Sequence, residues 1–146
     1  MNTLRKSPYY TPEHEAFRNV VKRFVAKEIE PFATEWDEAG EFPRSLYRRA
    51  SEIGLLQLGF PEELGGVPAD RFYKIVAAQE LARSGSGGIA AGLMSHTIGS
   101  PPIAKLGLPE LKSRVLPAVL SGEKISALAI TEPNAGSDVA NIKTAA

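Results

Sequence analysis

Apolar residues first recur along the chain at steps of three and four: Phe17, Val20, Val21, Phe24, Val25, Ile29, Phe32 and Trp36. One stripe of this period predicts a long amphipathic helix with a single buried face. Thr11 followed by Pro12 marks its start. A threonine hydroxyl accepts from a free first-turn N–H, and proline loses nothing at the first helical position. Pro31 lies inside the pattern and is expected to kink or divide the helix, because its ring removes a donor and clashes with the preceding turn. Gly40 closes the segment.

The pattern then repeats in shorter units. A second helix opens at Pro43, carries Leu46, Tyr47, Ala50 and Ile53 on one side, and stops near Gly54. Glycine and proline punctuate a loop over 59–68. Asp70 is placed to cap a third helix bearing Phe72, Ile75, Val76, Gln79 and Leu81, which runs to about Arg83. Residues 84–88 break it. Residues 89–98 are apolar nearly all round and predict a buried helix. Gly99-Ser100-Pro101-Pro102 predicts another break, with a short helix over 102–106. Pro109 begins a last helix that turns Leu111, Val115, Leu116, Val119 and Leu120 inward and ends at Gly122.

After Lys124 the helical period is lost. Residues 125–130 are an apolar-rich run with no helix cap, bounded by Gly122 and by Glu132-Pro133-Asn134, and read as a buried strand. The expected fold is therefore all-α, five to six helices over residues 1–123, followed by a first strand within 124–146.

Composition narrows the partners. The 146 residues are 43% hydrophobic and 23% charged, the balance of an ordinary globular protein. Lys plus Arg and Asp plus Glu are 17 each, so no net field points to nucleic acid or an anionic membrane. There is no cysteine, which excludes disulfides, thiol nucleophiles and thiolate metal sites. The N-terminal segment lacks the apolar core of a signal peptide, and no apolar run reaches the length of a membrane span, so a cytoplasmic protein is expected.

Several motifs carry less than they suggest. Gly85-Ser86-Gly87-Gly88-Ile89-Ala90 matches GxGxxG/A, but a helix precedes it where the dinucleotide fold needs a strand, so it reads as a helix–helix break. Ser95-His96 lacks a third triad member and sits as sequence neighbours that point apart on a helix. His14 is expected at the surface of the first turn, and two isolated histidines make no metal site. Glu13, Glu15, Glu62 and Glu63 read as solvated carboxylates. Thr131-Glu132-Pro133-Asn134-Ala135-Gly136-Ser137-Asp138 differs, since it gathers hydroxyls, carboxylates, an amide and glycine directly after the apolar run. Its residues leave two readings open, a loop that grips phosphates or the edge of a polar heterocycle, and a plain turn.

ISALAITEPNAGSDVANIKT, residues 125–144, resembles the flavin-binding signature of the acyl-CoA dehydrogenase family. The core A-x-T-E-P-x-A-G-S-D stands here as Ala129, Thr131, Glu132, Pro133, Ala135, Gly136, Ser137 and Asp138. Pro61-Glu62-Glu63-Leu64-Gly65-Gly66, Gln79-Glu80-Leu81-Ala82, and Leu116-Pro117 before Ser121-Gly122-Glu123 agree with it, so the resemblance covers essentially the whole chain. It implies an FAD-dependent α,β-dehydrogenation of an acyl-CoA. It places Leu128, Ile130, Thr131, Gly136 and Ser137 at the cofactor, with Ser137 also touching substrate. It makes Ala90, Met94 and Ile98 acyl-pocket residues. It implies an electron-transferring flavoprotein as acceptor and a homo-oligomer, dimer or tetramer. The glutamate base of the family is expected beyond Ala146, so no catalytic residue is assigned. Leu128 stands where many members carry an aromatic residue, which leaves room for a flavin oxidase or monooxygenase of the same fold. A helical interaction module without catalysis is the third reading, and the isolated chain is expected to hold FAD weakly.

Overall fold

A computed structural model describes residues 7–145. Seven α-helices follow one another: α1 Pro12–Glu28, α2 Ala33–Ala39, α3 Ser45–Glu52, α4 Arg71–Leu81, α5 Gly87–Leu93, α6 His96–Leu106 and α7 Pro109–Leu120. Pro31 divides the first apolar stripe as its chemistry requires. It sits in a single 3-10 turn between α1 and α2, and Gly40 ends α2 in the left-handed conformation.

The long helix α1 packs along α4, and the two are tied at their N-termini. Thr11 caps α1. His14, three residues on, returns the favour, its Nδ1 accepting from the Thr11 N–H at 2.9 Å. With Nδ1 accepting, Nε2 carries the proton and donates to the Asp70 carboxylate at 3.0 Å. Asp70 is itself the cap of α4 and accepts from the Phe72 and Tyr73 N–H groups. His14 is thus only 3% exposed, wedged beside Tyr73 at 4.4 Å between ring centroids. This corrects the surface placement expected from its first-turn position. Its acceptor lies 56 residues away, and local pattern carries no trace of it. One turn further along, Arg18 reaches across to Glu80 at 3.0 Å and to the Gln79 side-chain oxygen at 2.8 Å.

The core joins α1, α3, α4 and α5 through Val21, Phe24, Val25, Leu46, Ala77, Leu81, Ile89 and Leu93. Leu55, Leu56 and Leu58 complete it from the connection after α3. They follow no helical period, so periodicity alone does not mark them as core. A second cluster, Phe60, Leu64, Leu116 and Leu120 with Ile103 and Ala104 against it, seats α6 and α7. His96 at the start of α6 is buried and donates from Nε2 to the Leu56 carbonyl at 2.8 Å.

Three expectations change here. Residues 89–98 are not one buried helix. The chain turns at Met94 and Ser95 through bonds from Ser95 N–H to the Gly92 carbonyl and from Thr97 N–H to the Met94 carbonyl, and Ile98 on α6 is 63% exposed. The break expected at 99–102 is absent. α6 runs through Pro101 and Pro102, because its packing on α7 and Phe60 outweighs the two lost donors. Residues 125–130 carry no ladder hydrogen bonds and lie exposed instead of buried, since the described residues supply no strand to pair with them.

Removing the imidazole in His14→Ala strands the Thr11 N–H and opens a void between α1 and α4. It is expected to lower stability by about 2 kcal/mol, read as a fall in the urea midpoint at unchanged slope. A variant unfolding with the wild-type midpoint contradicts the bridge.

Burial pushes the His96 pKa below its ordinary 6.5. The unfolded chain then takes up a proton that the folded chain refuses. The stabilisation is complete above pH 6.5 and is lost as pH falls toward the folded value. His96→Gln, which keeps a donor for Leu56, should flatten this part of the stability–pH curve. An unchanged slope contradicts the assignment.

Candidate cofactor loop and the α5–α6 wall

Gly122 launches the loop. It ends α7 in the left-handed conformation, and a Cβ there would stand 2.5 Å from the Tyr47 carbonyl carbon and oxygen, so only glycine lets α7 close on α3 at this point. The chain then crosses the start of α6. Ser95 donates its hydroxyl to the Ser126 carbonyl at 2.8 Å. Gly99, one turn along, faces the passing segment at contact distance, a Cβ there lying 3.4 Å from the Ser126 hydroxyl and 4.0 Å from Leu128 Cβ.

Beyond Thr131 the loop organises itself. Glu132 and Ala135 exchange backbone bonds, Glu132 N–H to the Ala135 carbonyl at 2.8 Å and Ala135 N–H to the Glu132 carbonyl at 3.1 Å, around a tight Pro133-Asn134 turn. Ala135 is buried as the foot of this turn. Asn141 donates to Asp138 at 2.7 Å over a 3-10 turn, Val139–Asn141. The Glu132 carboxylate accepts from the Lys143 N–H at 3.0 Å, from the Thr144 N–H at 2.9 Å, and from the Thr144 hydroxyl. The Thr144 hydroxyl and the Lys143 and Thr144 amides hold its pKa below the usual glutamate range.

This scaffold leaves the expected cofactor residues outward. Leu128 is 50% and Ile130 46% exposed, and Thr131, Gly136 and Ser137 are exposed beside them. The Thr131 and Ser137 hydroxyls have no hydrogen-bond partner among the described residues, and nothing lies within 4 Å of a Cβ at Gly136. Apolar side chains followed by free hydroxyls and an open glycine fit a ligand with a flat apolar face and a polar edge.

Of the three residues expected at an acyl pocket, the structure brings two together. Ala90 and Met94 line a mostly apolar groove of about 330 Å³ between the ends of α4 and α5, floored by Ala78, Ala82 and Gly85. Ile98 stands outside that groove, on the exposed side of α6. Met94 is adjacent in sequence to Ser95, so the groove begins beside the anchor of the loop. Sequence reading missed the roles of Ser95 and Gly99 where the loop crosses α6, and placed Glu132 in the signature without its bonds to Lys143 and Thr144. Their partners lie 11 to 31 residues away, too far for any periodic signal. No group of three or more His, Asp or Glu that could hold a metal ion occurs among the described residues. No helix there is long and apolar enough to cross a membrane.

Residues 11–123 match the model of the acyl-CoA dehydrogenase N-terminal domain. The chain is 36% identical over 135 residues to the mitochondrial long-chain specific acyl-CoA dehydrogenase of Rattus norvegicus, covering 92% of this chain and 31% of that protein. It is 34% identical over 139 residues to a 3-(aryl)acrylate reductase of Clostridium sporogenes, covering 94% and 37%. The crystal structure of a Bacillus anthracis acyl-CoA dehydrogenase complexed with FAD superposes with a TM-score of 0.79 at 33% identity, covering 92% of this chain and 23% of that one. The chain belongs to the acyl-CoA dehydrogenase family. It spans about a third of the length of the curated relatives it matches.

Enlarging Gly99 to leucine puts side-chain atoms where residues 126–128 pass. This variant is expected to detach the loop while leaving α1–α4 intact. Limited proteolysis should then cut within 125–131 at least tenfold faster, since local opening governs cleavage. Wild-type cleavage rates in Gly99→Leu contradict the contact.

Proposed function

We propose that this chain forms part of an FAD-dependent enzyme that dehydrogenates an acyl-CoA thioester between its α and β carbons. The observation that carries the reading is the outward set Leu128, Ile130, Thr131, Gly136 and Ser137 on a loop anchored to α6 by Ser95. Leu128 and Ile130 would lie against the flavin ring. The Thr131 hydroxyl would bond its polar edge, and Gly136 would let backbone approach. Ser137 would stand where cofactor and thioester meet. When bound, FAD supplies a hydride acceptor. The groove at Ala90 and Met94 would take the acyl chain, because its lining is small and apolar.

None of residues 7–145 is assigned as the base. The Glu132 carboxylate is occupied by three donors, which supports its exclusion. On this reading residues 1–123 are the helical domain and 124–146 open a β-domain, with a homo-oligomer and an electron-transferring flavoprotein as acceptor. The exposure of Ile98, Leu106 and Leu108 on one side of α6 and its exit supports cover by further protein. Leu128 keeps a second reading, an oxidase or monooxygenase of the same fold, which rapid reoxidation of the reduced flavin by oxygen would single out.

FAD titrated onto the 146-residue chain should shift the amide resonances of Thr131, Gly136 and Ser137 with weak affinity, about 10⁻⁴ M, since one loop offers few contacts. The flavin-loaded enzyme should bleach on mixing with an acyl-CoA. FAD that moves none of these resonances contradicts the cofactor assignment.

A further inference from the structure

Glu132 has a role that neither its position in the signature nor its exposure announces. It is the last residue before the tight turn, and its carboxylate reaches back over the loop to the chain leaving it. One carboxylate oxygen takes the Lys143 N–H at 3.0 Å, and the other takes the Thr144 N–H at 2.9 Å together with the Thr144 hydroxyl. The two ends of a thirteen-residue excursion, 132 to 144, are thereby joined through one side chain. Within the excursion two further pairs form, the backbones of Glu132 and Ala135 and the side chains of Asp138 and Asn141. Nothing else among the described hydrogen bonds ties the segment after Asn141 to the segment before Pro133.

We propose that Glu132 is the positioning residue of the cofactor loop, a carboxylate latch that closes residues 132–144 and holds Thr131, Gly136 and Ser137 in one outward arrangement. This rests on the reading of the loop as the flavin contact. The physical reason is entropic. An open excursion of this length samples many conformations, and a ligand that needs three of its groups at once must order them on binding. A latch made of charge-assisted bonds to two amides and a hydroxyl performs that ordering beforehand. A glutamate is the side chain for the task. It reaches across the loop, and both its oxygens accept, whereas the amide of glutamine offers one acceptor and presents a donor where the other oxygen stood. The lowered Glu132 pKa agrees with a carboxylate held ionised by its donors. Thr131, directly before the latch, has its backbone direction set by it, so the residue assigned to the flavin edge and the residue that orders the loop are neighbours with separate tasks.

Two variants test this on the 146-residue chain. Glu132→Gln replaces the second acceptor, and Thr144→Val removes the hydroxyl donor while keeping both amides. Hydrogen exchange at Lys143 and Thr144 should accelerate about tenfold in Glu132→Gln and less in Thr144→Val, with α1 and α4 amides unchanged. FAD should then shift the Thr131 and Ser137 resonances of Glu132→Gln with about tenfold weaker affinity than in the parent chain. Unchanged exchange at Lys143 and Thr144 overturns the latch. Faster exchange with undiminished FAD affinity overturns its positioning role. If FAD moves no loop resonance even in the parent chain, the flavin reading falls and takes the positioning role with it. Exchange alone then still reports whether the latch exists, so the two failures are told apart.

Discussion

A single imidazole sets the relation of the two helices on which the domain is built. His14 accepts from the Thr11 N–H on one side of its ring and donates to Asp70 on the other, so the N-terminal cap of α1 and that of α4 become one hydrogen-bonded unit. A buried ring with both nitrogens committed tolerates little sliding. The register between α1 and α4 follows, and with it the approach of Arg18 to Glu80 and the closing of Val21, Phe24 and Val25 on Ala77 and Leu81. The end of α4 then delivers the Gly85 turn and Ser86, whose hydroxyl caps α5 and donates to Asp37 on α2 at 2.6 Å. The wall formed by α5 and α6 is fixed from that end by these bonds and from the other by His96 on the Leu56 carbonyl.

The candidate site is assembled on top of this frame by small residues. Gly122 lets α7 close against Tyr47, and the next segment crosses α6 at contact distance from Gly99. Ser95 supplies the one hydroxyl that pins the crossing. At Gly122 the site depends on a side chain being absent. The exposed residues of the loop are held by backbone and carboxylate hydrogen bonds within it, which is how a polar turn can stay ordered without a packed core beneath most of it.

Much of the frame was legible in sequence. The α1 stripe, the Thr11 and Asp70 caps, the dividing Pro31 and the inward face of α7 all follow from chain-local periodicity and capping chemistry. The family was legible by resemblance, and the match of residues 11–123 to the family's N-terminal domain bears that out. What could not be read was whatever depends on a distant partner. His14 looks like a solvated first-turn residue until Asp70 arrives. Leu55, Leu56 and Leu58 follow no helical period until two helices close over them. The continuous apolar run 89–98 hides a turn, because apolar composition does not say which way the chain goes after Met94.

The sequence by itself determined where α1 and α4 start, where α1 divides and which face of α7 turns inward, because capping, proline sterics and apolar periodicity act within a few residues. Only the tertiary structure decided that His14 is buried, that α6 continues through two prolines, that residues 125–130 lie exposed without a strand partner, and that Glu132 clasps the far end of its own loop. Each of these is a contact between residues remote in the chain, or the lack of one. The energy of such a contact belongs to the arrangement in space and to no single stretch of sequence.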